Sequence, residues 1–307
     1  MPFYNSDLKL LEFAVKSVLN QTIKNIELII VNDGSNVKNF EQILAAAKTD
    51  KRIKIITQKH KGAGIARNLG IENASGDFIA FMDADDYYPD NEVLEHLYNT
   101  ALNSNVLISG GKVLMDNDGE LSQPFWHFKN IENLYCNRTV DYKDFQICWG
   151  YWCYIYKKQL ITDNNIYFPD YLRYQDPPWF IRMLNTAKTF YTTDKVSYIY
   201  RNSTEAKKWS NRQIKDYFKG IENVLLYSKQ EGLNELHAFI YRKFLTYDIK
   251  ILNSFKMNLL LDKNRIINDI FRATNENIIE KIEPEVPIFK DVKDYKQNIA
   301  KYDLIDK

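Results

Sequence analysis

Three carboxylates stand close together in the stretch Asp83-Ala84-Asp85-Asp86, directly after the short apolar run 78–82. A run of this length, rich in aromatic and β-branched residues, predicts a buried strand rather than a helix. Side chains at the carboxyl end of such a strand lie where open α/β sheets bind their ligands. Asp83 and Asp85 would point the same way in extended backbone, and such carboxylates bind hard cations such as Mg²⁺. The alternative is a solvated, Asp-rich turn.

The predicted strand 26–31 is closed by the polar segment Asn32-Asp33-Gly34-Ser35. A loop at 58–64, which contains Gly62-Ala63-Gly64, leads into a predicted helix containing Arg67. A glycine-rich entry to a helix exposes backbone N–H groups that can bind an anion. The loop matches neither a Walker sequence nor a dinucleotide fingerprint, so it is a weak signal by itself.

Asp176 is the candidate for a general base. It precedes two prolines and a predicted helix that starts near Phe180, with Trp179 between them. Aspartate is common at helix N-caps, which is the structural alternative. A carboxylate next to aromatic side chains is partly desolvated and therefore a stronger base, which is the catalytic interpretation.

The elements that must position these residues alternate between strands and helices. Helices are predicted for 8–19 with Asp7 as N-cap, for 40–48 and for 65–71, and strands for 26–31, 53–56 and 78–82. This order implies an α/β fold with parallel pairing and right-handed crossovers. The later segment 111–119 predicts a strand and a hairpin turn. Beyond Arg201 the spacing of apolar residues becomes helical.

Composition limits the class of protein. The 307 residues are 45% hydrophobic and carry a formal net charge of +1, which allows a sizeable core and argues against a nucleic-acid partner. Three cysteines are too few for a disulfide framework and predict buried free thiols in a reducing compartment. No apolar stretch approaches the length of about 18 residues that a membrane span needs. We therefore expect a cytoplasmic protein.

Two aromatic regions each allow two interpretations. The first comprises Trp126, His127, Phe128, Trp149, Tyr151 and Trp152. These side chains would either line a sugar-binding groove or pack in the core. The second region, 241–244, mixes Arg242 and Lys243 with aromatic residues. It fits peripheral contact with an anionic membrane or a core-packed helix with a solvated basic edge.

Five short motifs occur in one order along the first 86 residues. They are Pro2-x-Tyr4-Asn5, Ser17-Val18-Leu19-Asn20-Gln21-Thr22, Val31-Asn32-Asp33-Gly34-Ser35, Gly62-x-x-x-Ala66-Arg67-Asn68-x-Gly70 and Phe81-Met82-Asp83-Ala84-Asp85-Asp86. Each motif is common alone, but the series resembles family 2 of the inverting glycosyltransferases, a large bacterial group with the GT-A fold. The resemblance is close over residues 1–90 and looser as far as Tyr200-Arg201.

The resemblance implies a GT-A, Rossmann-like and mostly parallel sheet flanked by helices. This domain would span 1–205, with a donor half (1–115) and an acceptor half (116–205), followed by a helical C-terminal region at 206–307. The family begins with an apolar strand that ends in Pro-x-Tyr-Asn, whereas this chain starts at Met1-Pro2. We therefore expect the first strand to be missing or truncated.

The resemblance also implies roles for individual residues. The implied donor-binding residues are Pro2, Tyr4, Asp33, Arg67, Asp83 and Arg201, the implied ligand of Mn²⁺ or Mg²⁺ is Asp85, and the implied base is Asp176. Asp33 would accept a hydrogen bond from the uracil N3–H of the donor. Two positions depart from the family pattern: His60 replaces a common Asn, and Gln175 replaces the first residue of a Glu-Asp pair.

Together these implications predict a metal-dependent inverting glycosyltransferase. It would transfer a hexose or N-acetylhexosamine from a UDP-sugar to a glycan or lipid-linked acceptor, in bacterial surface polysaccharide or lipooligosaccharide synthesis. We expect a cytoplasmic location, with peripheral contact at the inner face of the membrane. Two alternatives stay open. One is a non-catalytic nucleotide-sugar-binding or assembly subunit, favoured by the truncated strand and the altered pair. The other is a nucleotidyltransferase, which shares carboxylates at a sheet end.

Overall fold

A computed structural model of the chain describes residues 1–35, 50–124, 133–202, 208–254 and 260–302. The predicted helix at 40–48 and the aromatic residues Trp126, His127 and Phe128 lie outside these ranges. The chain divides into two compact units. The first comprises Met1–Asp170 and Trp179–Lys207, and the second comprises Tyr171–Pro178 and Lys208–Lys307.

Strands of the first unit form two sheets within the described residues. They are β1 (Pro2–Phe3), β2 (Leu28–Asn32), β3 (Ile53–Thr57), β4 (Phe78–Ala80), β5 (Ile108–Asn117), β6 (Glu120–Ser122), β7 (Arg138–Asp141), β8 (Tyr154–Lys157) and β9 (Thr189–Arg201). One sheet has the order β1-β2-β3, and the other has the order β4-β8-β5-β9-β7 with β6 paired to β5. The two-residue β1 lies where the first strand of the family is expected.

Six helices accompany these strands in the described ranges. They are α1 (Leu8–Leu19), α2 (Ala63–Asn73), α3 (Val93–Asn103), α4 (Tyr142–Phe145), α5 (Lys158–Asp163) and α6 (Asp176–Ala187). Asp7 caps α1 as predicted, because its Oδ1 accepts hydrogen bonds from the backbone of Lys9 and Leu10. The buried face of α1 carries Leu11, Ala14, Val15 and Val18 at helical spacing.

Strand pairing confirms the expected parallel arrangement in one sheet, whereas the other sheet is mixed and keeps a parallel pair only between β5 and β9 among the described strands. β1, β2 and β3 pair in parallel. β4 instead pairs antiparallel with β8, with Phe78 opposite Lys157. No strand was predicted at β8, which directly follows the aromatic stretch ending at Trp152, so the sequence offered no partner for β4 other than its predecessors. The predicted hairpin is present as β5 and β6, and Asp118 and Gly119 adopt positive φ at its turn.

Aromatic side chains fill the core of the first unit. Phe168 and Trp179 stack with their ring centroids 4.4 Å apart, and Phe81 contacts both rings edge to face. Tyr151 and Trp152 are buried, which favours the core interpretation for these two residues over a sugar-binding groove. Of the three cysteines, Cys148 and Cys153 are buried free thiols as expected, whereas Cys136 is exposed.

A cavity of about 490 Å³ lies beside β2 and β4 in the first unit. Its lining mixes apolar residues such as Leu28 and Phe78 with polar residues such as Glu27. Arg67 contributes to the lining, whereas the carboxylates of Asp33, Asp83 and Asp85 do not. The cavity therefore adjoins the cluster of polar groups described below and shares Arg67 with it.

The second unit is helical in its described part. Its helices are α7 (Asn211–Glu231), α8 (Asn234–Lys243), α9 (Ile249–Ser254), α10 (Leu260–Ala273), α11 (Glu276–Ile282) and α12 (Val292–Asn298), with a π-helical turn at Phe244–Asp248. Tyr241 and Phe244 are buried, whereas Arg242 is exposed. The packing of Tyr241 and Phe244 in the core beside an exposed basic residue agrees with the interpretation as a core-packed helix with a basic edge, and contact with a membrane stays a prediction. None of the described helices combines the length and hydrophobicity that crossing a membrane requires.

Candidate active site

The carboxylates Asp83, Asp85 and Asp86 lie in a turn and not in a strand. β4 ends at Ala80, and the backbone N–H of Asp86 donates to the carbonyl of Asp83 at 3.3 Å, closing the turn. The expected extended alternation of Asp83 and Asp85 is therefore wrong. A turn lets each carboxylate take a different environment: Asp83 is partly buried, Asp85 is exposed and Asp86 is 1% exposed.

Asp83 is paired with Arg67, which lies on the helix that follows the glycine-rich loop. The Arg67 Nη2 is 2.6 Å from the Asp83 Oδ1, and the guanidinium lies over the rings of Tyr151 and Phe168. Arg67 is only 6% exposed, so the pair is fixed by packing as well as by charge. The motifs around Arg67 and Asp83, 16 residues apart, thus meet at one point.

Asp86 fastens the turn to the end of β9. Its Oδ2 accepts a hydrogen bond from the Tyr198 hydroxyl at 2.8 Å, and its Oδ1 accepts one from the Arg201 backbone N–H at 2.8 Å. The same Tyr198 hydroxyl accepts a hydrogen bond from the backbone N–H of Asp83 at 3.0 Å. Burial raises the pKa of the Asp86 carboxyl well above its usual range, and the charges of Asp83 and Asp85 raise it further.

Arg201 braces the same turn from outside. Its Nη1 donates to the carbonyl oxygen of Asp85 at 3.0 Å, and its Nε lies 3.5 Å from the Asp116 Oδ2. The guanidinium also lies between the rings of Phe13 and Tyr87, 4.8 and 4.6 Å from their centroids. The side chain is therefore held in one orientation before any ligand binds. A direct role of Arg201 at a diphosphate stays a prediction.

Asp33 organises the glycine-rich loop. The backbone N–H groups of Lys61 and Gly62 each donate to its carboxylate at 2.8 Å. Gln58 Nε2 and His60 Nδ1 lie 2.7 and 2.8 Å from the same carboxylate. Two of the N–H groups near the start of the helix, those of Lys61 and Gly62, are thus already occupied by Asp33. A carboxylate has about four lone-pair positions, so contact between Asp33 and a nucleobase N–H would require Gln58 or His60 to move.

Tyr4 and His60 form a stacked pair next to this loop. Their ring centroids are 3.9 Å apart with planes inclined by 20°, and Tyr4 is 46% exposed. Gly34 permits the close approach of the two segments, because a Cβ there would be 2.8 Å from the backbone nitrogen of His60. His60 has thus a structural role at the position where the family often has Asn. Pro2 lies nearby in sequence, in β1.

Asp176 is the first residue of α6 and belongs to the second unit. It is partly exposed, as a base that meets an incoming acceptor must be. The side-chain oxygen of the neighbouring Gln175 has no accessible surface and accepts no hydrogen bond among the described residues. The roles of Gln175 and Asp176 in chemistry are not tested by these contacts and stay predictions.

The carboxylates of the turn 83–86 limit the kind of cation that can bind there. In the described ranges, no three His, Cys, Asp or Glu side chains are arranged to hold a metal ion. Asp83 is paired with Arg67 and Asp86 is buried, whereas Asp85 is exposed. Mg²⁺ commonly uses one or two carboxylates together with substrate phosphates. The residues therefore fit a cation that arrives with a diphosphate.

Sequence reasoning missed the residues that support the turn. Tyr198 connects Asp83 to Asp86, Trp152 stacks on Tyr198 at 4.7 Å, and Asp116 binds both Arg201 and the Tyr87 hydroxyl. These residues are distant from the turn in sequence and belong to no short motif. The alternation of Tyr198 and Tyr200 before Arg201 was the available signal, because it marks a strand that ends near the site.

A family model for glycosyl transferase family 2 matches residues 1–160. The chain belongs to this family. EpsJ of Bacillus subtilis, named an uncharacterized glycosyltransferase, is 29% identical over 66% of this chain and 60% of its own length. YibD of Escherichia coli, also named an uncharacterized glycosyltransferase, is 25% identical over 89% of this chain and 83% of its own length.

Solved structures show the same fold. S. aureus TarS 1-349 in complex with UDP-GlcNAc has a TM-score of 0.74 at 19% identity, covering 92% of this chain and 82% of that chain. The GT-A assignment and the helical C-terminal region expected from the resemblance are thereby confirmed. The turn 83–86 of this family 2 chain lies within the matched range 1–160, whereas Asp176 and Arg201 lie beyond it.

Proposed function

We propose that this chain is a metal-dependent inverting glycosyltransferase that uses a UDP-linked hexose or N-acetylhexosamine. The observation that carries the proposal is the preorganised turn 83–86, where Arg67 and Asp83 are paired and Asp85 is exposed. Family membership supports the reaction class. The fold shared with TarS, which was crystallised with UDP and with UDP-GlcNAc, supports a UDP-linked donor.

The first unit supplies groups for holding a nucleotide diphosphate. Asp85 would bind Mn²⁺ or Mg²⁺, and the cation would offset the charge that develops on the departing diphosphate. Arg67 fixes Asp83 in one orientation, so the Asp83 carboxylate can accept hydrogen bonds from a ribose without reorganisation. Asp86, Tyr198 and Arg201 keep the turn in place. These residues would orient the donor before the acceptor arrives.

Inversion requires a base on the face of the sugar opposite the leaving group. We propose that Asp176 takes the proton from the acceptor hydroxyl as that oxygen attacks the anomeric carbon, while the bond to the diphosphate breaks. We further propose a glycan or lipid-linked acceptor in bacterial surface polysaccharide or lipooligosaccharide synthesis, with the protein at the inner face of the membrane. The relatives EpsJ and YibD come from bacteria and are named glycosyltransferases, which supports a bacterial glycosyltransferase.

Transfer assays with a panel of UDP-sugars, with Mn²⁺ or Mg²⁺ present, test the proposal. We expect one donor to support transfer or slow hydrolysis, and Asp85→Ala and Asp176→Ala each to lower turnover by about a hundredfold or more. If both variants keep full turnover, the assigned roles are wrong. UDP binding without turnover on any acceptor would instead identify a non-catalytic nucleotide-sugar binder.

A further inference from the structure

The segment Tyr171–Pro178 belongs by its contacts to the helices that begin after residue 208, although residues of the first unit flank it on both sides in the sequence. This segment carries Asp176. The position of the segment in the sequence does not explain why it packs with the helical unit. The contacts between the segment and α7 (Asn211–Glu231) do explain it.

Gly220 opens a notch in α7 where Tyr174 lies against the helix. A Cβ atom at position 220 would be 2.7 Å from both the Cδ1 and the backbone oxygen of Tyr174, and 2.9 Å from its Cβ. These distances are shorter than any ordinary contact of a Cβ atom. Glycine weakens a helix interior relative to alanine. Its presence here is therefore explained by the approach of the segment.

The segment is held in a conformation that it would not adopt alone. Tyr174 has a φ of +61°, which is uncommon for a bulky residue and persists only where neighbouring contacts impose it. The backbone N–H of Leu172 donates to the Asp216 Oδ2 at 2.9 Å, and the Tyr174 ring meets the Tyr217 ring edge to face at 4.9 Å. Asp216, Tyr217 and Gly220 share one face of α7.

Contacts with residues at the end of α8 and in the π-helical turn hold Tyr217 in place. Its hydroxyl donates to the Oδ1 of Asp248 at 2.7 Å, and the Lys243 Nζ lies 2.6 Å from the same oxygen. Asp248 is buried and ends the π-helical turn Phe244–Asp248, a rare element that is frequent at functional sites. Burial raises the pKa of Tyr217, and the charges of Asp248 and Asp176 raise it further, so the Asp176 charge acts on this tyrosine.

We propose that the notch on α7 formed by Asp216, Tyr217 and Gly220 positions the segment Tyr171–Pro178, and with it the base Asp176. These three are positioning residues, because they act on the reaction through the segment. The effect of these residues on catalysis rests on the proposed function. The inference that α7 fixes the position of the segment rests only on the contacts described above. The helical unit would then control the rate of proton removal without contributing to donor binding.

The substitution Gly220→Ala tests the notch, with Gly232→Ala as the matched control. Gly232 ends α7 with a φ of +68°, and no atom lies within 4 Å of a Cβ built there. The control therefore introduces strain in the same unit without touching the segment. We expect Gly220→Ala to lower kcat for transfer by about tenfold or more, since small misplacements of a reacting group are costly, and to leave the donor KM unchanged. Hydrogen exchange across 171–178 should accelerate in this variant alone.

Asp216 allows a second test in which a conservative variant restores the contact. Asp216→Ala removes the acceptor for the Leu172 N–H, and we expect faster exchange in the segment and a lower kcat. Asp216→Asn retains an acceptor oxygen and should restore both readouts toward the wild-type values. If hydrogen exchange across 171–178 is equally fast in Gly220→Ala and Gly232→Ala, the proposal that α7 fixes the position of the segment is wrong.

If Gly220→Ala accelerates exchange across 171–178 but has the same kcat as Gly232→Ala, the proposed effect of the notch on catalysis is wrong. The proposed function has its own failure, which is a wild type that transfers no sugar or an Asp176→Ala variant with full turnover. In that case the catalytic role of the notch falls too, while the exchange rates still decide whether α7 holds the segment.

Discussion

Asp83, Asp85 and Asp86 are neighbours with different surroundings, and the surroundings assign their roles. Asp83 is neutralised by Arg67, Asp85 is exposed, and Asp86 is buried where Tyr198 and Arg201 bind both of its oxygens. A substitution in this turn should therefore affect either activity or folding according to which carboxylate it removes.

Asp85→Asn should lower turnover by about a hundredfold while leaving the free energy of unfolding nearly unchanged. The side chain is exposed, so its charge contributes little to stability, whereas loss of a carboxylate ligand weakens binding of the cation. Steady-state kinetics with varied Mn²⁺ and urea unfolding measure the two effects. Asp77→Asn is the control, since its side chain is 80% exposed at the start of β4. Equal turnover of both variants would contradict the role of Asp85.

Tyr198→Phe should destabilise the fold by about 1–3 kcal/mol, because a buried acceptor on Asp86 loses its partner. The hydroxyl also accepts from the backbone of Asp83, so turnover should fall as the turn loosens. Tyr191→Phe on the same strand is the control, since the described residues give its hydroxyl no hydrogen bond. Urea unfolding of both variants decides the matter. A Tyr198→Phe variant as stable as the control would show that the tyrosine does not brace the turn.

The motifs supplied candidate site residues but could not predict how these residues are held in the fold. Asp33, Arg67 and Asp83 were found because each stands in a short motif. The anchoring of Asp86 was not found, because its partners Tyr198 and Arg201 are more than a hundred residues away. Local patterns carry no information about such long-range pairs.

At the scale of elements, the sequence predicted the positions of strands better than it predicted which strands pair with each other. Strand-helix-strand order implied the parallel pairing of β2 and β3, and the register Leu28 to Ile53 confirms it. The antiparallel pairing of β4 with β8 could not be predicted, because β8 lies in a stretch that is hydrophobic on both faces and shows no alternation. Burial on both faces removes the period that identifies a strand.

The junction of α7, α8 and α11 contains a buried histidine that makes stability depend on pH. The Nε2 of His237 accepts a hydrogen bond from the Asn275 backbone N–H at 2.9 Å, and its Nδ1 lies 3.1 Å from the Leu225 carbonyl. A proton on Nε2 would abolish the first bond. Burial lowers the pKa of His237 from 6.5 to about 4, although the Leu225 carbonyl favours the charged form.

Stability should therefore fall as the pH decreases from 6.5 toward 4. In this window the unfolded chain binds the proton and the folded chain does not, so the free energy of unfolding decreases with decreasing pH. Between pH 7 and pH 5 the loss from this group is about 2 kcal/mol. Urea unfolding of the wild type and of His237→Gln at both pH values measures it. The variant should lose less stability between the two pH values, and an unchanged pH dependence would contradict the assignment.

At the scale of the whole molecule, the proposed donor-binding residues all belong to the first unit, whereas Asp176 belongs to the second. Donor binding should therefore depend on the first unit alone. We expect UDP with Mn²⁺ to slow hydrogen exchange around residues 31–35, 60–67 and 81–87, and to leave the exchange of α7 to α12 unchanged.

A thermal melt measures the same binding. At a hundredfold excess over its Kd, a ligand stabilises the folded state by about 2.7 kcal/mol, which a thermal melt detects. Asp85→Asn should lose the part of this stabilisation that requires Mn²⁺, and Gly220→Ala should keep it. Protection that extends equally through the helices, or a Gly220→Ala variant that no longer binds UDP, would show that the helical unit takes part in donor binding.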